Sequence, residues 1–326
     1  MAFNKIVVMG LGYIGLPTAA VLASRGLKVV GVDVKQDTVD TINQGNIHII
    51  EPDLDIVVRS VVTTGNLCAS TKPEEADAFM IAVPTPLVNE NSADPTPDLT
   101  YVKSAVEAIA PYLVRGNLVV LESTSPVGTT DKIAQWLADV RPDLSFPQQA
   151  GLQTDVHIAH CPERVLPGYV LQELVSNDRL IGGMTDACSQ KAVSLYQTFV
   201  RGDCISTNAR TAEMAKLTEN SFRDVNIAFA NELSIICEKL KINVWELVKL
   251  SNRHPRVNIL NPGPGVGGHC IAVDPWFIVN RCPDEAKIIR QARLTNESKP
   301  YHVTEQIIKA ANEFKQPVIG CLGLSF

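Results

Sequence analysis

The sequence predicts an α/β protein: a Rossmann-like, doubly wound N-terminal sheet, followed by a long central helix and a helical dimerisation domain. Two observations carry this prediction. Short apolar runs alternate with helical segments through the first half of the chain, a pattern typical of a mainly parallel sheet with helices on both faces. Residues 211–241 then contain no helix breaker, and their apolar positions surround most of the helical circumference. Such a helix is expected to be buried on most sides.

The elements follow one another along the chain. The apolar runs are residues 6–9, 28–32, 78–83 and 118–121, and the helical segments lie near 16–25, 35–44, 98–110 and 129–139. "HIAHCPERVLPG" and "DRLIGGM" add two strand-like pieces. Beyond the long helix, residues 243–251 and 284–314 also favour helix.

"GLGYIG", residues 10–15, predicts the turn of a dinucleotide site. It lies between an apolar strand and a helical segment, which is the context that this pattern requires. Asp33 ends the next apolar run, where a carboxylate accepts hydrogen bonds from a ribose diol and repels a 2′-phosphate. We therefore expect NAD rather than NADP, held by Gly10, Gly12, Gly15 and Asp33.

"GPGVGG", residues 263–268, matches the same pattern in a different context. A basic, proline-broken segment precedes it, and a cysteine and "DPW" follow it in place of an amphipathic helix. Its glycines are interpreted as residues that carry positive φ or let the backbone approach a ligand. A plain glycine-rich turn is the alternative.

Composition excludes several classes of protein. The chain has 326 residues, 45% of them hydrophobic and 20% charged, with a formal net charge of −6. These values are ordinary for a globular protein and argue against general nucleic-acid binding. Residues 6–24 carry no charge, but Pro17 and three glycines interrupt them, so no membrane span is expected. A cytoplasmic location is predicted, since the only basic residue before this run is Lys5, too little for a signal peptide.

Eight cysteines show neither a C-x-x-C pair nor zinc-like spacing, so no metal site is predicted. Most are expected to be reduced and buried. Cys270 is the exception, because it follows the glycine run and adjoins His269. A thiol is a good nucleophile near neutral pH. Asp274 lies four residues on and reaches the same reacting centre if the segment is a tight turn.

NAD and a nucleophilic cysteine together suggest an oxidation in two steps. An alcohol gives an aldehyde, the thiolate adds to the aldehyde, and the thiohemiacetal can then donate a second hydride. The resulting thioester is hydrolysed to an acid.

Long motifs in order complete the pattern: "GLGYIGLP", "VPTP", "ESTSPVGTT", "CPERVLPG", "TAEMAKLTENSFRDVNIAFANEL", "NRHPRVN" and "GPGVGGHCIAVDPWF". Through them the chain resembles the UDP-glucose/UDP-N-acetylhexosamine 6-dehydrogenase family from Lys5 to Phe326. The resemblance implies an NAD-dependent four-electron oxidation of C6 of a nucleotide sugar. It also implies an NAD domain, a dimerising central helix and a C-terminal domain that helps to bind UDP.

The resemblance also implies roles for individual residues. Cys270 would be the nucleophile, Lys216 and Asn220 would hold the oxyanion, and Asp274 would orient a water that takes the alcohol proton. Glu163 would assist thioester hydrolysis, with Thr124 in the same water network, and His269 is expected to be structural or to contact the substrate. Further cofactor contacts are implied for Tyr13, Ile14, Pro84, Thr85 and Thr124. Substrate contacts are implied for Glu163, Arg164, Val165, Lys216, Asn220, Arg253, His254, Arg256, Gly265, Gly268 and His269.

One departure bears on the substrate. The glucose branch usually has a lysine before the aspartate, where this chain has Val273. The motifs are similar to the N-acetylhexosamine branch, and within it to enzymes that oxidise UDP-N-acetyl-D-mannosamine for bacterial surface polysaccharides such as enterobacterial common antigen. Another UDP-sugar, a two-electron hydroxyacid dehydrogenase and a non-catalytic NAD-binding dimeric fragment remain alternatives.

The chain is long enough for two or three domains. We predict an NAD-binding domain over 1–208, a central helical dimerisation and catalytic domain over 209–315, and a third segment at 316–326. "PVIGCLGLSF" resembles "KIVVMGLGYI", so the third segment is interpreted as the first strand of a truncated UDP-binding domain. A simple C-terminal strand is the alternative.

Overall fold

The computed structural model describes residues 3–89, 92 and 95–322. The chain divides into two compact units, Met1–Pro86 with Asp98–Lys216, and Leu87–Pro97 with Leu217–Phe326. The boundary between the two units lies between Lys216 and Leu217, inside the long helix. The predicted domain boundary at residue 208 lies just before that helix. The three predicted domains remain a proposal.

The strands of the described residues are, in chain order, β1 (Lys5–Met9), β2 (Lys28–Val32), β3 (Leu67–Ser70), β4 (Ala78–Ile81), β5 (Leu87–Val88), β6 (Thr96–Pro97), β7 (Leu118–Leu121), β8 (His157–His160), β9 (Arg179–Gly183) and β10 (Cys204–Asn208). The helices are α1 (Gly15–Ser24), α2 (Gln36–Asn43), α3 (Leu54–Thr63), α4 (Thr100–Ile109), α5 (Thr129–Val140), α6 (Pro147–Ala150), α7 (Val170–Ser176), α8 (Asp186–Tyr196), α9 (Ala209–Leu240), α10 (Val244–Ser251), α11 (Asp274–Arg281) and α12 (Lys287–Ala311).

The first unit is built on an eight-stranded sheet with the order β10-β9-β8-β7-β4-β1-β2-β3, as far as its residues are described. Its pairs are parallel except β8 with β9, which is antiparallel. Successive residues of β1 face opposite cores: Ile6 and Val8 enter one apolar cluster, and Val7 and Met9 enter the other. Helices therefore cover both faces, and the predicted Rossmann-like, mainly parallel sheet is confirmed.

The predicted strand and helix segments of the first half lie within a few residues of the observed elements. In this unit α3, β3, α6, α7, α8 and β10 were not predicted. In β3, "LCAS", buried Leu67 and Ala69 alternate with more accessible residues, so this strand lacks the continuous apolar run that marks β1 or β7.

The second unit is mostly helical. Its helices α9, α10 and α12 correspond to the predicted segments 211–241, 243–251 and 284–314, and β5 and β6 form a short antiparallel pair. The prediction that no helix follows the second glycine motif is wrong, because α11 begins at Asp274. Pro275 lies in the first turn of α11, where a missing N–H costs nothing.

The long helix is not buried on every side within one chain. Leu217 and Cys237 are buried, whereas Phe222, Phe229 and Ile236 have 68%, 52% and 43% of their surface exposed. Among the helices of the described residues, none combines the length and apolarity that a membrane span requires.

The predicted strand at 316–326 is not formed over its described part, residues 316–322, and residues 323–326 lie outside the described residues. A strand needs a hydrogen-bonding neighbour. No strand of the described residues pairs with this segment.

Candidate active site

The turn between β1 and α1 has the geometry of a phosphate-binding loop. A Cβ on Gly15 would lie 1.8 Å from the carbonyl oxygen of Gly10, so only glycine fits at the start of α1. A Cβ on Gly12 would meet nothing within 4 Å, so here glycine leaves the backbone open instead of avoiding a clash. This open approach at a helix N-terminus fits the pyrophosphate of a dinucleotide. Tyr13 is exposed and Ile14 is half-buried beside it.

Asp33 stands at the end of β2 and holds the same turn. Its Oδ2 accepts a hydrogen bond from the backbone N–H of Leu11 at 3.1 Å, and its Oδ1 accepts one from Lys35 at 3.0 Å. The carboxylate thus fixes the glycine turn, a role that was not predicted from the sequence. Its predicted contact with a ribose stays a prediction.

We expect Asp33→Asn to weaken NAD binding roughly tenfold or more. The protein's preference for NAD over NADP should also become smaller. The amide removes the charge that favours a ribose diol, and a lost charge-assisted hydrogen bond costs about 1.5–3 kcal/mol. Asn keeps an oxygen that can accept from Leu11, whereas Asp33→Ala also releases the turn. Fluorescence titration with both cofactors measures the change. Equal affinity of the unaltered protein for NAD and NADP would show that Asp33 does not select the cofactor.

The carboxyl ends of β4 and β7 bring together two predicted cofactor contacts. The Thr85 hydroxyl donates to the carbonyl oxygen of Thr124 at 2.5 Å. Ser123 donates to the carbonyl of Val83 at 2.6 Å and ties the same two strand ends together. Pro84 is exposed between them. Ligands of doubly wound sheets bind at this edge.

Glu163 is buried beside a cation that the sequence analysis did not single out. Its Oε2 accepts from Arg179 Nη1 at 2.7 Å, and its Oε1 accepts from the backbone N–H of Arg164 at 2.6 Å. Arg179 is itself buried and lies over the Tyr196 ring. Arg164 and Val165 continue the segment and are half-buried. The pair holds Glu163 in one orientation.

A second buried acid adjoins this pair. Glu122 accepts a hydrogen bond from the Tyr196 hydroxyl at 2.6 Å. Burial, and next the negative charge of Glu163, raise the pKa of Glu122 to about 7. The charged and titratable groups that face it are Glu163, Arg179, Tyr196 and Cys161.

This raised pKa predicts a pH-dependent stability. The folded protein holds a proton on Glu122 that the unfolded chain releases near its ordinary pKa of 4.5. The contribution of this proton to the free energy of unfolding is therefore fully present below about pH 4.5. It is lost as the pH rises to about 7. The loss is on the order of 3 kcal/mol.

Glu122→Gln, whose amide oxygen still accepts from Tyr196, should remove this pH dependence. Urea unfolding of both proteins from pH 5 to pH 8 gives the comparison. The wild-type free energy of unfolding should fall relative to the variant as the pH rises. If the free energies of unfolding of the two proteins changed in parallel with pH, the raised pKa of Glu122 would be contradicted.

The start of α9 is anchored by Glu213. This buried carboxylate accepts from the N–H groups of Gly128 and Thr130, at 2.6 and 2.8 Å, and from the Thr130 hydroxyl at 2.6 Å. It thereby caps the N-terminus of α5 from another helix. Lys216, half-buried, follows three residues later on α9.

In the second unit, Cys270 lies in a tight turn that leads into α11. The N–H groups of Val273 and Asp274 both donate to the Cys270 carbonyl, at 3.1 and 2.8 Å. Cys270 is exposed, whereas Asp274 is buried. Asn220 on α9 donates from Nδ2 to Asp274 Oδ2 at 2.5 Å. Three predicted catalytic residues are thus brought together.

The predicted substrate contacts of "NRHPRVN" are exposed. Arg253, His254 and Arg256 lie on a loop after α10, closed by Asn252, whose side chain exchanges two hydrogen bonds with the backbone of Ile259. His269 and Gly268 are exposed next to Cys270, and Gly265 is half-buried. Gly268 has a φ of 84°, which requires glycine.

Two domain descriptions of one family match this chain. The NAD binding domain of the UDP-glucose/GDP-mannose dehydrogenase family matches residues 4–200, and the family's central domain matches residues 210–298. The chain belongs to this family. Its cofactor is NAD, in agreement with the glycine turn and Asp33.

Individual relatives are similar over almost the whole chain. An NDP-N-acetyl-D-galactosaminuronic acid dehydrogenase from Ralstonia nicotianae is 64% identical over 99% of this chain and 76% of its own length. A UDP-N-acetyl-D-mannosamine dehydrogenase from Campylobacter jejuni is 65% identical over 99% of this chain and 79% of its own. The structure of a UDP-D-ManNAc dehydrogenase from Pyrococcus horikoshii superposes with a TM-score of 0.87 at 42% identity, covering 95% of this chain and 72% of that one.

Proposed function

We propose that this dehydrogenase oxidises C6 of UDP-N-acetyl-D-mannosamine to the carboxylate, giving UDP-N-acetyl-D-mannosaminuronate in a four-electron reaction. The observation that carries the proposal is the exposed Cys270 in a turn closed on Asp274, with Asp274 held by Asn220. The name of the Campylobacter jejuni relative supports the substrate. The product class fits the synthesis of bacterial surface polysaccharides.

Each oxidation uses a different part of this arrangement. In the first, Asp274 orients a water that accepts the alcohol proton, and C6 becomes an aldehyde as its hydride leaves. In the second, the Cys270 thiolate adds to C6 and the aldehyde oxygen takes up a proton. The thiohemiacetal then loses this proton and a hydride to become a thioester. Two NAD molecules per sugar, bound in turn, would supply the two hydride acceptors.

Hydrolysis then releases the acid. Water adds to the thioester carbon, the C–S bond breaks, and the Cys270 thiolate returns. Glu163, fixed by Arg179, is proposed to assist this water, with Thr124 in the same water network. The side chains of Lys216 and Asn220, one helical turn apart on α9, are proposed to stabilise the oxyanion. Asn220 uses one N–H on Asp274 and keeps a second for the substrate.

The proposed substrate contacts are Arg164, Val165, Arg253, His254, Arg256, Gly265, Gly268 and His269. Val273, which precedes Asp274, removes a cation that the glucose branch usually has. A smaller, uncharged side chain is compatible with an acetamido group on the sugar.

A second candidate substrate has its own support. The Ralstonia nicotianae relative, named for N-acetyl-D-galactosaminuronic acid, is as similar to this chain as the Campylobacter jejuni one. Initial rates of NADH formation with UDP-N-acetylmannosamine, UDP-N-acetylgalactosamine, UDP-N-acetylglucosamine and UDP-glucose distinguish them. The highest kcat/KM should belong to the mannosamine derivative. A higher value for any of the other three would overturn this assignment.

We also propose that the protein forms a homodimer through α9. Phe222, Phe229 and Ile236 are seven residues apart and exposed within one chain. This heptad spacing places them on one face of the helix, as in helices that pack on a partner.

We further propose a cytoplasmic location for the protein. The described cysteines are all free, as is usual for proteins of a reducing compartment.

Phe222→Ser with Phe229→Ser should convert the dimer to a monomer at micromolar concentration. Each exposed aromatic ring stabilises the dimer through apolar area that the partner covers. Analytical ultracentrifugation gives the mass of each species. Ile56→Ser, which alters an apolar side chain 64% exposed on α3, is the matched control. A monomeric wild type, or a dimer in the double variant, would refute this interface.

A further inference from the structure

Both ends of the segment that carries Cys270 are tied to one network of polar side chains within the second unit, which is buried except at Glu297. At the first end, the backbone N–H of Gly263 donates to Asn231 Oδ1 on α9 at 2.8 Å. At the other end, the Trp276 indole N–H on α11 donates to Glu297 Oε1 on α12 at 3.2 Å. Cys270 lies between these two attachments.

A continuous series of hydrogen bonds joins the two attachments. Asn231 Nδ2 donates to Asn296 Oδ1 at 2.9 Å, and Asn296 Nδ2 donates to Asp224 Oδ1 at 2.8 Å. Arg293 donates to the same Asp224 oxygen at 2.7 Å from Nη1, and to Glu297 Oε1 at 3.2 Å from Nη2. Arg293 is therefore the point where the two arms meet.

The members are buried to a degree that is unusual for polar groups. Asn231, Asn296, Asp224 and Arg293 are 0%, 1%, 0% and 2% exposed. Removing an ion pair from water is costly, and apolar side chains of similar volume often stabilise a protein as well or better. A network of this kind is more readily explained by what it orients than by the stability that it adds.

The glycine-rich segment at residues 263–268 packs closely against α12. A Cβ on Gly265 would lie 2.7 Å from Pro300 Cγ on α12, so the backbone approaches the helix more closely than any other residue allows. The segment is therefore fixed by a hydrogen bond at Gly263 and by contact at Gly265. Cys270 follows five residues later.

We propose that Asn231, Asn296, Asp224 and Arg293 are positioning residues that fix the nucleophile segment at both of its ends. This inference rests on the proposed function, since it concerns the placement of Cys270 as the nucleophile. Asp274, which serves the first oxidation, is also held by the hydrogen bond from Asn220. Loss of the hydrogen bond at Gly263 should therefore displace the Cys270 thiol more than the Asp274 carboxylate. A displacement of about 1 Å at a reacting group costs on the order of 10²-fold in rate.

The first test cuts the arm at Gly263 with Asn231→Ala. Single-turnover NADH formation should keep its first phase within about threefold of wild type, while the second slows by on the order of 10²-fold. The control is Ser234→Ala. It removes the 2.5 Å hydrogen bond that Lys299 on α12 donates to Ser234 on α9, and it removes no hydrogen bond to the nucleophile segment. The ratio of the two phases is the decisive readout, because general destabilisation does not separate them.

The second test cuts the arm at α11 with Trp276→Phe, which keeps an aromatic ring and removes the indole N–H. Its bond is longer and Glu297 is half-exposed, so a smaller slowing of the second phase, about tenfold, is expected. This variant decides the matter if Asn231→Ala does not fold. Second phases within twofold of Ser234→Ala in every folded variant would overturn the proposal.

Amide hydrogen exchange of residues 263–273 provides a readout without turnover. Exchange should be faster in Asn231→Ala than in Ser234→Ala, because the acceptor of the Gly263 N–H is gone. If the unaltered protein forms only one NADH per sugar, the proposed function fails while this exchange result still tests the anchoring. Unchanged exchange would overturn the positioning role by itself.

Discussion

Cys270→Ser should complete the first hydride transfer and stall before the second. The serine hydroxyl has a similar reach but is a far weaker nucleophile than a thiolate near neutral pH, so the covalent adduct forms slowly. We expect the second phase of NADH formation to slow by at least on the order of 10³-fold, as is common when a nucleophile is replaced. The first phase should stay within a few-fold of wild type.

Two measurements on protein shown to bind UDP-sugar check this expectation. Rapid-mixing absorbance separates the two phases, and mass spectrometry of the quenched enzyme shows whether a sugar adduct accumulates on residue 270. Cys282→Ser, an exposed cysteine beyond α11, is the matched control and should keep both phases. Full turnover to the acid in Cys270→Ala would exclude the thioester route.

Lys216→Ala should slow both oxidations instead of one. If the ammonium stabilises negative charge on the C6 oxygen in each step, its loss costs on the order of 10²–10³ in rate in each phase. A matched change is available on the same helix, because Lys239 lies exposed in the last turn of α9. Lys239→Ala should leave both phases near wild type, since isolated surface charges contribute little.

The same single-turnover experiment measures the effect of the Lys216 substitution. Equal slowing of the two phases supports a shared oxyanion role, and the effect should appear in kcat more than in KM. An intact first phase in Lys216→Ala would restrict the lysine to the second oxidation. Intact rates in both phases would remove it from the proposed chemistry.

The parts that the sequence predicted are those encoded locally. The strand, glycine turn and helix around residues 5–24 follow from an apolar run, three glycine positions and a helical segment, all within one stretch of chain. The turn from Cys270 to Asp274 is local in the same way. Neighbours of this kind require no knowledge of which distant segments pack together.

The groups that sequence analysis missed are joined across long separations. Arg179 reaches Glu163 from 16 residues away, Tyr196 reaches Glu122 from 74, and Asn296 reaches Asn231 from 65. Each would be interpreted as an ordinary helix or strand residue by its local pattern. Their pairing is produced by the order of the strands and the packing of α9 on α12, which no short motif encodes. The nearest signal for Arg179 in the sequence was a cation inside the strand-like segment "DRLIGGM".

The central claim is a four-electron oxidation at one carbon, and the number of NADH molecules formed per sugar tests it most directly. Limiting UDP-N-acetyl-D-mannosamine is converted to completion with excess NAD, NADH is measured by absorbance, and the sugar product is identified by mass spectrometry. We predict two NADH per sugar and a uronate product. One NADH per sugar with an aldehyde product would contradict the account.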